Sequence, residues 1–146
     1  MSTETARYND FNQQLIADLR AHAGRATSGP FEGRELLILT TRGARSGELR
    51  ETPLAFSESG DDYVIVGSKG GAPTHPAWFH NLQKDPDVIV EVRGEKFRAH
   101  ARLATDEEYE KLYKVHADRM PSFGDYRKRT NRKLPVIVLS RRGSAG

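Results

Sequence analysis

The stretch ELLILTTRGARSGELRETPLAFSESGDDYVIVGS, residues 35–68, decides the fold. It contains three runs rich in Leu, Ile, Val and Thr: Glu35 to Arg42, Leu49 to Phe56 and Asp62 to Ser68. The glycine-flanked GARSGE and the polar SESGDD separate them. Strands joined by turns this short pair antiparallel in the simplest reading. Downstream, VIVEV at Val88 to Val92, the turn RGE, and Lys96 to Ala104 continue the pattern. In the last of these Phe97, Ala99, Ala101 and Leu103 alternate with polar residues, as a half-buried strand requires. LPVIVLS, Leu134 to Ser140, completes about six strands. The chain reads as α+β, mainly β, and a closed or nearly closed barrel would hide the sheet edges.

Helices flank these strands. Phe11, Leu15, Ile16 and Leu19 recur at helical spacing between Tyr8 and Ala23, and Gly24 ends that helix. Pro76 opens a short helix, AWFHNLQK, because proline fits a first helical turn. Thr105 with Glu108 forms a capping-box pattern for a helix to about Asp118. The segment with Pro121 and Gly124 reads as a loop leading into a basic run. Residues 1–7 and the tail RRGSAG, 141–146, are expected to be loose.

The 146 residues, without repeats or a linker, fit one domain over 1–146. There is no cysteine, so disulfides, thiolate metal sites and cysteine nucleophiles are excluded. The N-terminus lacks the apolar core of a signal peptide, and the longest apolar runs are far too short to span a bilayer. A soluble, cytoplasmic protein is expected. Lys plus Arg exceed Asp plus Glu by 23 to 20, an excess too mild to argue for nucleic acid. Aromatics also fail to alternate with cations on any one strand face.

Three segments can carry chemistry. In TTRGARSGELRETPL, Gly43 and Gly47 bracket a tight turn, and Arg45, Ser46 and Arg50 beside its backbone amides suit a phosphate or carboxylate. The plain alternative is a hairpin turn with solvated arginines. In VGSKGGAPTHPAWFHNL, a strand ends at Ser68, and Lys69, Gly70 and Gly71 precede a helix N-terminus, where amides and dipole favour an anion. Neither GxxxxGK[ST] nor GxGxxG is present. Trp78 on that helix serves either the core or the flank of a ring system. In MPSFGDYRKRTNRKLP, Tyr126 stands among Arg127, Lys128, Arg129, Arg132 and Lys133. A phenol beside cations can donate a proton, and the cations can hold an anionic tail, or the run is simply a solvated loop.

Other classes are set aside. The five His show no HExxH or carboxylate–His spacing, so no catalytic metal is expected. His75 and His80, five apart around a helix start, do not share one face neatly. There is no GxSxG elbow.

The run LLILTTRGARSGELRETPLAF, then VIVGSKGGAPTHPAWFHNLQKDPDVIVEV, then PSFGDYRKRTNRKLPVIVL resembles the deazaflavin-dependent nitroreductase family of actinobacteria over Leu36 to Leu139. That resemblance implies a split β-barrel related to FMN-binding oxidoreductases of the pyridoxamine-oxidase type. It implies coenzyme F420, a 5-deazaflavin with a phosphate and an oligoglutamate tail. Reduced, the coenzyme delivers a hydride to a quinone, nitroaromatic or activated enone. By motif, Arg45, Ser46, Gly47 and Arg50 hold phosphate or tail, and Ser68, Lys69, Gly70 and Gly71 contact phosphate and the polar side of the ring. Trp78 and Asn81 shape the cofactor groove. Ala55, Trp78, Phe123 and Tyr126 line the acceptor pocket, with Tyr126 or Ser68 as the catalytic hydrogen-bond or proton donor.

Departures from the family pattern are local. Met120 and Phe123 stand where relatives carry Tyr, and Ala55 where a Tyr follows Pro-Leu. These imply a less polar, wider pocket. The rival readings are an FMN-dependent oxidoreductase on the same barrel and a non-enzymatic deazaflavin carrier. A homodimer and a small-molecule acceptor are the expected partners. Peripheral membrane contact by the N-terminal helix would fit a quinone, but Asp10 and Asp18 interrupt its surface and favour packing on the barrel.

Overall fold

A computed structural model describes residues 3–68 and 75–144. The first helix, α1, covers Thr3–Ala21 and starts five residues earlier than the apolar spacing predicts. It stops where Ala23 (φ 52°) and Gly24 (φ 90°) enter the left-handed region. Gly24 N–H donates back to the Leu19 carbonyl at 2.8 Å, and a Cβ on Gly24 would lie 2.8 Å from the Arg93 backbone nitrogen. Only glycine therefore makes this exit.

Strands β1 (Leu37–Arg42) and β2 (Leu49–Leu54) form the predicted hairpin, with Leu37 opposite Leu54 and Arg42 opposite Leu49. The expected single run to Phe56 breaks after Leu54. Ala55 and Phe56 cross to the other side of the fold, and Ser57–Ser59 forms a separate β3 against β4 (Asp62–Val66). Phe56, with none of its surface exposed, pins that crossing in the core. There are thus seven strands rather than six, and β4 pairs with β3 and β7, not with β2.

Helix α2 (Ala77–Lys84) follows Pro76 as predicted. Strands β5 (Asp87–Val92) and β6 (Glu95–Leu103) meet at Arg93–Gly94, both at positive φ, which is the turn chemistry a two-residue hairpin needs. Helix α3 (Asp106–Arg119) carries the full capping box between Thr105 and Glu108. Helix α4 (Ser122–Arg129) occupies the segment expected to be a loop. Strand β7 runs Val136–Ser144, so residues 141–144 are not frayed: Phe97 pairs with Ser144 and Arg98 with Gly143.

The antiparallel sheet has the order β2-β1-β5-β6-β7-β4-β3, with β2 and β3 at its ends. Leu37, Leu39, Val90, Phe97, Ile137 and Ile65 lie in one cluster with Trp78, Phe79 and Leu82 of α2. The opposite faces are also covered. Leu36 and Ile38 meet Leu15, Ile16 and Leu19 of α1, while Val64, Val66, Val136 and Val138 meet Tyr109, Leu112 and Tyr113 of α3. Strands buried on both faces read as continuous apolar runs, which explains LLIL and VIVL. Arg20 of α1 adds ion pairs to Glu51 on β2 and, at 2.7 Å, to Glu91 on β5. Among the described residues no helix is long and apolar enough to cross a membrane.

Candidate functional site

A cavity of about 1380 Å³ opens along the edge strand β2. Its first wall is the β1–β2 turn. Gly43 N–H donates to the Glu48 carbonyl at 2.7 Å, Gly47 N–H donates to the Gly43 carbonyl at 2.9 Å, and Gly47 holds φ 75°. Helix α2 fixes this turn from below. Asn81, buried, accepts from Ala44 N–H at 2.9 Å and donates to Thr41 Oγ1 at 3.1 Å, while Lys84 Nζ donates to the Ala44 carbonyl at 2.6 Å. A Cβ on Gly43 would sit 2.7 Å from Ser46 Oγ, so the turn closes tightly on itself. Arg45, Ser46 and Arg50 remain exposed on its rim and line the cavity. Arg45 has no ion-pair partner among the described residues; Arg50 has only an exposed contact to Glu48 at 3.4 Å, which water screens strongly. Gly47 does not line the cavity and shapes the turn instead.

The second wall is Ser68, at the end of β4, with Pro76, Ala77 and Trp78. Helix α2 starts without a side-chain cap, so its positive end forms part of this wall. Trp78 is both core and cavity lining, which joins the two roles its sequence position allowed. Lys69, Gly70 and Gly71 lie outside the described residues.

The third wall comes from Val66, Met120, Phe123 and Tyr126. Phe123 is packed edge-to-face between His116 at 4.4 Å and Tyr126 at 5.1 Å. Tyr113 Oη donates to the Phe123 carbonyl and so ties α4 to α3. Burial pushes the Tyr113 phenol up to about 12 and the His116 imidazole down to about 4. Ala55 also lines the cavity, so Ala55, Trp78, Phe123 and Tyr126 share one cavity with the β1–β2 turn.

The basic run after Tyr126 behaves differently from expectation. Arg127 pairs with Glu110 at 2.9 Å and lies over Tyr113, Lys133 reaches Asp106 at 3.7 Å, and Arg132 turns inward to backbone carbonyls. Arg127 and Lys133 tie α4 and the α4–β7 connection to α3, Arg132 reaches the β4–α2 connection, and none of the three lines the cavity. His75 and His80 do not share one helical face, since His75 precedes the helix and Pro76 is extended (ψ 154°), yet their ring centroids lie 5.9 Å apart. His75 lies below its ordinary value through burial first, then Arg132 and His80. Asn12, Phe31 and Arg34 also line the cavity and carried no local signal. Asn12 comes from α1, and Phe31, which packs on the α1 cluster, and Arg34 come from the segment that follows it. Among the described residues no three His, Asp or Glu side chains group as metal ligands do.

A cationic turn at one end of the cavity and an aromatic, half-apolar wall at the other define a binder of a planar ring bearing an anionic tail. Comparison with known proteins gives that class a family. Residues 13–141 match the model of the F420H(2)-dependent quinone reductase family, and the chain belongs to it. An F420H(2)-dependent quinone reductase of Mycobacterium tuberculosis (strain H37Rv) is 39% identical over 109 residues, 73% of each chain. The solved F420-H2 dependent reductase FDR-A is 34% identical, with TM-score 0.67, over 72% of this chain and 93% of that one. A solved domain-swapped dimer is 29% identical, with TM-score 0.69, over 94% of this chain and all of the other.

Proposed function

We propose that this chain reduces a quinone or a related activated acceptor with reduced coenzyme F420, bound along the β2 edge of a split β-barrel. The observation that carries this reading is the shared cavity: Arg45, Ser46 and Arg50 at one end, Phe123 and Tyr126 at the other. Inner-face residues of β1 and β4, four strands apart in the sheet order, share one core, which supports the barrel.

The residues fit the group. The coenzyme supplies a hydride and the conjugated ring that stabilises its departure. Arg45 and Arg50 offer guanidinium forks to phosphate and carboxylate oxygens, and Ser46 a hydroxyl. The Asn81 clamp holds that turn in place before binding, so little ordering cost falls on association. Trp78 and Leu54 give the ring an apolar wall. Tyr126, which lines the cavity, is the residue we assign to donate a hydrogen bond or proton to the reduced acceptor oxygen, with Ser68 as a second hydroxyl. Met120, Phe123 and Ala55 leave that end apolar and suited to a flat quinone. A homodimer is the assembly we favour, supported by the domain-swapped neighbour.

Fluorescence titration with oxidised coenzyme F420, with FMN in parallel, tests the reading. Saturable micromolar binding of F420 alone, weakened by salt, is the expected result. Binding of FMN alone would keep the fold and overturn the cofactor. Tyr126→Phe should lower turnover at least tenfold with cofactor affinity retained; equal losses in both would make Tyr126 a structural residue.

A further inference from the structure

Arg132 lies in the connection between α4 and β7. Its guanidinium is partly buried, which lowers its pKa. Nη1 donates to the Gly67 carbonyl at 3.1 Å and to His75 Nδ1 at 2.9 Å; Nη2 donates to the Ser68 carbonyl at 2.9 Å. Gly67 and Ser68 form one stem of the β4–α2 connection, and His75 forms the other. A single planar fork therefore spans both stems. These three acceptors are two backbone carbonyls and an imidazole nitrogen, set where a planar guanidinium can reach all of them at once.

The same stem has two further restraints from the start of β7. Gly67 N–H donates to the Pro135 carbonyl at 2.9 Å, and a Cβ on Gly67 would meet Pro135 Cγ at 2.7 Å. The segment Arg132–Pro135 thus acts as a template for the end of β4. What that template aims is part of the cavity wall: Ser68 on one stem, Pro76 and the first turn of α2 on the other.

We infer that Arg132 is a positioning residue for the site: it holds the two stems of the β4–α2 connection at a fixed separation and so aims Ser68 and the start of α2 into the cavity. This rests on the function proposed above for what the cavity binds, but the clamp itself is measurable without any cofactor. Lysine cannot replace the arginine, because one ammonium on a flexible stem does not reproduce a fork set between two backbone carbonyls and an imidazole.

The test compares the unsubstituted chain with Arg132→Lys and Arg132→Met, and with Lys128→Gln as a control for charge in the same segment. Hydrogen exchange of the free chain is measured on peptides spanning residues 66–79. At least tenfold faster exchange is expected there in both Arg132 variants, with the β5–β6 hairpin unchanged. The His75 ring, followed by NMR, should titrate at higher pH in Arg132→Met, because a neighbouring cation has gone. Coenzyme F420 titration should then show at least tenfold weaker binding in both variants and none of this in Lys128→Gln. Millimolar ethylguanidinium should restore part of the affinity of Arg132→Met. Should Arg132→Met fail to fold, Arg132→Lys carries the comparison. Unchanged exchange and an unchanged His75 titration would overturn the inference. Weak coenzyme binding with both of those unchanged would overturn it too, and make Arg132 a direct ligand. Failure of the unsubstituted chain to bind F420 would sink the proposed function instead, while the exchange and NMR results still decide the clamp.

Discussion

His116 sits on α3 with none of its surface exposed, Nδ1 2.9 Å from Ser57 Oγ and Nε2 without a hydrogen-bond partner among the described residues. Burial, and to a lesser degree Arg119, lowers its pKa from 6.5 to about 4. In the unfolded chain the ring protonates near its ordinary value; in the folded chain it stays neutral. The stability tied to this group is therefore complete above pH 6.5 and is lost as pH falls toward 4. Each unit of difference is worth about 1.4 kcal/mol, so lowering the pH from neutral to about 5 costs about 2 kcal/mol through this side chain. The shifted carboxylates do not confuse that window. Glu108 is held at about 2 by Arg102 and the Thr105 amide, and Asp18, Glu58, Glu91 and Glu110, also lowered, lose their contribution as pH falls below the ordinary carboxylate value. His75, also lowered, has the same sign, so a variant is needed for comparison. His116→Asn keeps a partner for Ser57 and cannot titrate. Urea unfolding at pH 7.5, 6.5, 5.5 and 5.0 should show the unsubstituted protein losing about 2 kcal/mol more than the variant, at equal m-values. Parallel loss within about 0.5 kcal/mol, inside the scatter of such extrapolations, would refute the argument and return His116 to an ordinary pKa. Because the ring packs against Phe123, acid should also loosen the acceptor end of the cavity.

Two further outcomes follow from the walls of the site. Asn81→Leu removes the two Asn81 bonds to the β1–β2 hairpin and takes away the Asn81 partners of the Ala44 amide and the Thr41 hydroxyl. Thermal melts should show a loss of about 2–4 kcal/mol, and F420 titration at least tenfold weaker binding. Gly67→Ala places a methyl 2.7 Å from Pro135 Cγ and forces β4 and β7 apart; calorimetry should show about 1–3 kcal/mol of destabilisation.

Local signals in the sequence were read correctly where the interactions are local. Pro76 starts α2, Thr105 and Glu108 cap α3, and Gly43 to Glu48 turns the first hairpin. Errors fell where long-range contacts decide. SFGDYRKR has no buried residue and no apolar period, yet it is helical because Tyr113 and Glu110 of α3 hold Phe123 and Arg127. Leu49 to Phe56 reads as one strand and SESGDD as a turn, but β2 stops at Leu54 and Ser57–Ser59 pairs with β4. Arg141–Ser144 looks like a tail, but it has β6 to pair with and an ion pair from Arg141 to Glu95. In the candidate site, the turn and the Trp78 helix were legible because each is one contiguous motif. The part played by Arg132 was not, because its acceptors lie 57 to 65 residues away in the chain.

The Arg20 ion pairs show that the charge of the site's mouth is controlled from outside it. Glu51 is an acid that lines the same cavity as Arg45 and Arg50. The guanidinium that offsets it belongs to α1, which also engages Glu91 two strands further in. A chain lacking α1 would retain Arg45, Ser46 and Arg50, yet present an uncompensated carboxylate next to them. Loss of α1 would thus change the electrostatics of the cavity mouth while leaving Arg45, Ser46 and Arg50 in the chain.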